Sequence, residues 1–222
     1  MVTIKWLGHA AFEVNIADKI VLIDPFLKDN PQAAVKPDEI QKVDIIVVTH
    51  NHFDHFSDAV DIAKRHGASI VAVYETASAA AERGVEKTVG LNVGGTTKID
   101  GLSITLTPAF HSCTSNPSGV VLSDGKVSIY HAGDTSLFGD MKLIGQLYKP
   151  RVALLPIGGF YTMGPLEAAV ATALIKPKVV IPHHYGTFDI IKQDPNEFVK
   201  FVRRKAKNVK VVVLKPGESY EL

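Results

Sequence analysis

The sequence predicts a layered α/β fold in which two β-sheets pack face to face with helices outside. Three observations predict it. Short apolar runs of strand length recur along all 222 residues. In the middle of the chain, two such runs alternate apolar and polar positions on either side of an Asp-Gly pair, the signal for antiparallel hairpins. On both sides of that middle, strand runs are interleaved with segments of helical spacing.

Residues 2–7 and 11–14 alternate well enough for paired strands, and 20–23 makes a third that stops at Asp24-Pro25. Residues 28–42 are polar and punctuated by proline, which reads as a loop. A fully apolar strand follows at 45–48. Ser57 is placed to cap a helix in which Ala59, Val60, Ile62, Ala63 and His66 recur at helical spacing, with Gly67 at its stop. A strand at 69–73 and a helix within 76–83 follow. Hairpins are expected at 97–106 around Asp100-Gly101 and at 120–130 around Asp124-Gly125. Beyond Asp134 come a strand at 152–155, an alanine-rich helix at 165–175 entered through Pro165, and a strand at 179–181. A capping box at Asp194-Pro195-Asn196-Glu197 starts a final helix, and 209–214 is a last strand. No linker, low-complexity run or short repeat interrupts the chain, so residues 1–222 are expected to form a single domain.

A 46% apolar share with 21% charged residues is that of a globular chain able to bury a core. Lys plus Arg number 24 and Asp plus Glu 23, a formal charge of +1 that disfavours a nucleic-acid partner. With Cys113 as the one cysteine, a disulfide framework within the chain is excluded. Neither a secretory leader nor a run of transmembrane length is recognisable, so a cytoplasmic protein without a membrane partner is expected. Self-association as a homo-oligomer stays open.

The chemistry concentrates in residues 48–57, VTHNHFDHFS, directly after the apolar strand. Residues two apart share a face of an extended chain, so His50 and His52 can converge on one ion as the strand runs out. Asp54 and His55 follow at a helix entrance and can be aimed at a second point nearby. Imidazole suits zinc and other first-row metals, and a carboxylate adds charge compensation. Three further apolar runs also finish in donor residues: His111, Asp134, and the pair His183 and His184. Strand-end loops gathered at one edge of a rigid sandwich are where such groups would meet.

These residues resemble the metallo-β-lactamase superfamily. The resemblance rests on His-x-His-x-Asp-His at 50–55, the isolated His111, Gly-Asp-Thr at 133–135 and Pro-His-His-Tyr-Gly-Thr-Phe at 182–188. Trp6-Leu7-Gly8-His9-Ala10 and Asp24-Pro25-Phe26 are similar to its small single-domain branch of metal-dependent hydrolases, related to an L-ascorbate-6-phosphate lactonase. The resemblance implies a four-layer αββα sandwich and two divalent ions, zinc first, with manganese, nickel or iron as alternatives. It implies His50, His52 and His111 on one ion, Asp54, His55 and His184 on the other, and Asp134 bridging. No counterpart is expected of the helical domain of glyoxalase II, the inserted domain of β-CASP enzymes or the substrate arm of tRNA 3′-processing enzymes.

The expected reaction is hydrolysis of an ester, lactone or phosphodiester by a hydroxide bridging the two ions, with Asp54 at the reaction centre. Two divalent ions less two carboxylates and a hydroxide leave about +1, which favours a small anionic substrate. His131, three residues before Asp134, is expected to orient a ligand. His9, closing an early strand, is expected to donate a proton to the leaving group. Cys113 is expected to be structural. The competing readings are a nuclease acting on RNA ends and a ligand-binding protein that keeps the site without turnover.

Overall fold

The computed structural model describes residues 1–222. Its first sheet opens as an antiparallel meander of β1 (Thr3–Gly8), β2 (Ala11–Ile16) and β3 (Lys19–Ile23). Then β4 (Ile45–Val47), β5 (Ser69–Val73) and β6 (Thr88–Leu91) add in parallel. The crossovers carry α1 (Phe53–Phe56), α2 (Ala59–His66) and α3 (Tyr74–Glu82). The final strand β14 (Ser219–Glu221) returns to pair with β1, closing the order β14-β1-β2-β3-β4-β5-β6.

The second sheet mirrors this plan. β7 (Thr96–Ile99), β8 (Leu102–Pro108), β9 (Ser118–Ser123) and β10 (Ser128–His131) pair antiparallel through the two Asp-Gly turns. Asp100 and Gly101 both take positive φ, at 47° and 88°, the twist a two-residue hairpin needs. β11 (Val152–Pro156), β12 (Val179–His183) and β13 (Lys210–Val211) then run parallel to β10. Before each of these three in turn lie α4 (Met141–Tyr148), α5 (Pro165–Ile175) and α6 (Pro195–Lys205).

The apolar run at 45–48 shows why the layers stack. Ile45 and Val47 join the core between the sheets, beside Trp6, Phe12, Ile104 and Leu122. Ile46 and Val48 face the other way, onto Ile62 and Ala63 of α2. A strand buried on both faces needs apolar residues at every position. The result is a four-layer αββα sandwich. No helix is long and apolar enough to cross a membrane.

Several elements differ from the sequence expectation. Ser57 closes α1 rather than capping α2, whose N-cap is Asp58. The Asp58 carboxylate is spent elsewhere, accepting from the backbone N–H of Leu27 at 2.6 Å and of Lys28 at 2.9 Å. Asp194 caps α6 through the N–H of Asn196 at 2.9 Å, but Glu197 bonds Lys200 and does not complete a capping box. The last strand shrinks to Lys210–Val211 because β13 is an edge, paired on one side only.

Candidate metal centre

The parallel strands β3, β4, β10 and β12 end near one another, and their C-terminal turns supply the polar residues of one cluster. His50 follows β4 and is fully buried. Its Nε2 lies 3.0 Å from His52 Nδ1, and His111 Nε2 approaches the same Nδ1 at 3.2 Å. His111 reaches in from the loop after β8. Burial, then the nearby His55, lowers the His50 pKa to about 3, and burial also lowers that of His111. These rings are neutral near pH 7 and offer lone pairs.

Beside this triad, Asp134 hangs from the tight turn after β10. Gly133 makes that turn at φ 63°, and a Cβ there would sit 2.5 Å from the Ser118 carbonyl oxygen. Asp134 Oδ2 lies 3.1 Å from His184 Nε2 and 3.7 Å from His111 Nε2, while Oδ1 lies 3.4 Å from His55 Nε2. Its carboxylate therefore stands between the triad and the residues Asp54, His55 and His184. Burial pushes Asp134 upward, but the imidazoles of His184 and His55 hold it well below the usual carboxylate range. Asp54 is likewise depressed against burial, by its hydrogen bond to His9 and by His55.

A buried carboxylate that sequence reasoning did not assign to the site organises this side. Asp24, at the end of β3, is fully buried and accepts from the Thr49 N–H at 2.7 Å and the Thr49 hydroxyl at 2.6 Å. Its Oδ2 also takes the Nδ1–H of His55 at 2.8 Å, which turns His55 Nε2 into the cluster. Burial opposes the Asp24 charge, but His55 keeps its pKa below the ordinary value. In turn, the carboxylates of Asp134 and Asp24 outweigh burial and raise His55 well above the usual imidazole range. Metal-binding histidines commonly donate their second ring nitrogen to such a partner.

His9 is held by a chain of hydrogen bonds. Gln32 Nε2 donates to the Tyr185 carbonyl at 3.2 Å, so Gln32 Oε1 accepts from the Thr187 hydroxyl at 2.7 Å. Thr187 Oγ1 in turn lies 2.9 Å from His9 Nδ1, and His9 Nε2 faces Asp54 Oδ2 at 3.0 Å. Burial and the neighbouring His184 lower the His9 pKa to about 4, leaving a neutral ring near pH 7. The Asp54 carboxylate can only accept, so its contact with this ring is a hydrogen bond when His9 carries its proton on Nε2.

His131 sits behind the cluster, fully buried and away from the cavity. Its Nε2–H donates to the Ala10 carbonyl at 3.0 Å and its Nδ1 accepts from the Gly133 N–H at 3.0 Å. Both nitrogens are committed, and they brace the turn that carries Asp134. His183 points into the packing between Phe12 and His131. The half-buried Cys113 thiol donates to the Ser115 carbonyl and stands outside every group of convergent donors.

The donor set fits metal ions. Buried His55 Nε2, His184 Nε2 and Asp134 Oδ1 have no hydrogen-bond partner, since their contacts are misaligned for one. Such orphaned polar atoms are costly unless something unseen satisfies them. Around zinc at about 2.0–2.1 Å, tetrahedral nitrogens lie about 3.3 Å apart, close to the spacing of the His50, His52 and His111 nitrogens. The groups His50, His52, His111 and His9, Asp54, His55, His184 each gather donors within 4.8 Å, and Asp134 groups with His50 and His55.

Residues 19–185 match the family described as Beta-lactamase superfamily domain. A UPF0173 metal-dependent hydrolase of Methanopyrus kandleri is 54% identical over 98% of this chain and 99% of its own length. The chain belongs to the metallo-β-lactamase superfamily. Within it, a Thermococcus kodakarensis UPF0173 metal-dependent hydrolase is 52% identical over the whole of both chains. The structure of Igni18, a metallo hydrolase from the hyperthermophilic archaeon Ignicoccus hospitalis, superposes with a TM-score of 0.93 at 41% identity, covering 100% and 99% of the two chains. An isothiocyanate hydrolase from Delia radicum gut bacteria shares the fold at 19% identity, with a TM-score of 0.82 over 99% and 98%. As a member of this superfamily with such relatives, the protein is a metal-dependent hydrolase.

Proposed function

We propose that the protein hydrolyses an ester, lactone or phosphodiester with two divalent ions. The observation that carries this is the placement of Asp134 between the His50, His52, His111 triad and the group of Asp54, His55 and His184. The triad would hold one ion, Asp54, His55 and His184 the other, and the two Asp134 oxygens would serve both. Bound there, a pair of ions supplies a nucleophile at neutral pH and neutralises charge on the attacked group.

The chain's own residues hold that arrangement in place. Asp24 keeps the His55 proton on Nδ1, Thr187 holds the His9 ring in place, and His131 fixes the turn of Asp134. His9 Nε2 lies 3.0 Å from Asp54 Oδ2, where a proton it carries can be passed to a leaving group. Phe53, Phe188 and Ile191 line the same space with apolar surface. The all-nitrogen triad favours zinc for its ion.

The structure offers a specific observation against RNA as substrate. Lys142, Lys149, Arg151, Lys176, Lys178 and Lys210 line a concavity of about 740 Å³. Arg151 and Lys178 immediately precede β11 and β12, whereas the donor cluster lies beyond the opposite ends of the parallel strands. This basic surface is therefore not placed to hold a polyanion over the centre.

Protein reconstituted with zinc, manganese, nickel or iron and tested on p-nitrophenyl acetate, a γ-lactone and bis-p-nitrophenyl phosphate examines the proposal. Turnover that requires metal and disappears in His52→Ala is the expected result. A loaded protein inert toward every member would favour the non-catalytic, ligand-binding reading.

A further inference from the structure

The cavity over the donor cluster has a volume of about 380 Å³, within the range of small-molecule sites. Its floor is His9, His52, Asp54, His111, Asp134 and His184. Its walls are Phe53, Tyr161, Phe188, Ile190 and Ile191. No lysine or arginine lines it.

Most of these walls are apolar side chains left facing water at the mouth. Phe53 is 65% exposed, Tyr161 55% and Ile190 51%. Phe160, itself exposed, stacks edge-on against Tyr161 with ring centroids 4.8 Å apart. On the other side, Phe53 and Phe188 flank the buried Phe26, at 5.7 and 6.5 Å. Clustered exposed aromatics on a soluble chain mark a surface that is covered in use. Here the cluster is continuous with the catalytic floor, and that continuity selects the substrate as its occupant.

We infer that the substrate is an uncharged molecule whose apolar arm, an alkyl chain or an aryl ring, lies between Tyr161 and the Phe53, Phe188, Ile190 wall. This rests on the two-metal hydrolase reading and replaces the small anion expected from the charge of the centre. An anionic arm would meet aromatic faces with no cation to receive it and would lose its hydration uncompensated. An apolar arm gains about fourfold in affinity for each methylene fully buried.

Hydroxamates test this without turnover, because the hydroxamate grips the metal centre while its arm varies. Titration calorimetry on zinc-loaded protein would compare acetohydroxamate, pentanohydroxamate, 3-phenylpropanohydroxamate and the monohydroxamate of succinate. The two apolar arms should bind at least about tenfold tighter than acetohydroxamate, discounting the full burial value for the open mouth. The succinate arm should gain nothing. Tyr161→Ala and Ile190→Ser, both at exposed positions, should shrink the apolar gain severalfold, and Leu147→Ala on α4 should leave it intact. Equal affinities across the arms, or tightest binding by the succinate arm, overturns the proposal while leaving the metal centre standing. Failure of every hydroxamate to bind overturns the centre and this proposal with it. An indifferent series, together with a dimer that Tyr161→Ala dissociates in sedimentation equilibrium, assigns the aromatic mouth to a second copy of the chain and also overturns the proposal.

Discussion

Replacing Asp24 by alanine removes the acceptor shared by three buried donors: the Thr49 N–H, the Thr49 hydroxyl and His55 Nδ1–H. None of the three has a route to solvent at this depth, since Asp24, Thr49 and His55 are all fully buried. A buried donor left unmatched costs about 1–3 kcal/mol, so three would cost roughly 3–9 kcal/mol. Water entering the space of the lost carboxylate recovers part of this, which places the expected loss near the lower end, about 3–4 kcal/mol. The same change frees His55 to rotate, so metal affinity should fall about 10–100-fold. Urea unfolding in the presence of a chelator reads the first effect, and zinc titration of the native protein reads the second. Asp24→Asn keeps one acceptor and the shape, and should lose less stability than alanine. A stability change below about 1 kcal/mol together with unaltered zinc affinity would refute the role given to Asp24.

His52→Ala removes the Nδ1 that both His50 and His111 approach, and should cost one of the two ions and all metal-dependent turnover, whereas Cys113→Ala should change neither; metal analysis and the substrate panel check both. Acid should weaken the metal-free fold through His183, which is buried with neither nitrogen bonded and whose pKa is held well below 6.5 by burial. A depressed folded pKa means that protons favour the unfolded chain, so stability is full above about pH 6.5 and falls by about 1.4 kcal/mol per pH unit below it. His183→Leu should remove this contribution, flattening the decline between pH 7 and pH 5 in denaturant titrations; parallel curves for the two proteins would contradict it.

What could be read from sequence was what local physics dictates. The Asp100-Gly101 and Asp124-Gly125 turns announced their hairpins because each needs positive φ at low cost, at both residues of the first pair and at Gly125 in the second. The run at 45–48 announced a strand covered on both faces. α4 escaped notice because Gly145 breaks its helical signal. That glycine lets α4 press against the carbonyl at the end of α5, which a Cβ would overlap, so the reason for it is tertiary. β6 and β14 are short edge strands whose existence depends on a neighbour supplied from elsewhere in the chain.

The convergent donors were legible as a motif because strand ends concentrate them. Asp24 and Thr187 were not assigned to the site, since their partners His55 and His9 lie 31 and 178 positions away. One signal was present: Asp24, like Asp134, is a carboxylate ending an apolar run. The exposed apolar mouth was equally hidden, because Phe53, Tyr161 and Ile190 come from three separate loops and helices.

The proposed pairing of two ions around Asp134 is tested most directly by counting them. Chelator-stripped protein titrated with zinc, followed by calorimetry and by elemental analysis after gel filtration, should retain two ions per chain. His52→Ala should retain one. Saturation at a single ion in the unaltered protein, or retention of none, would contradict the two-metal centre.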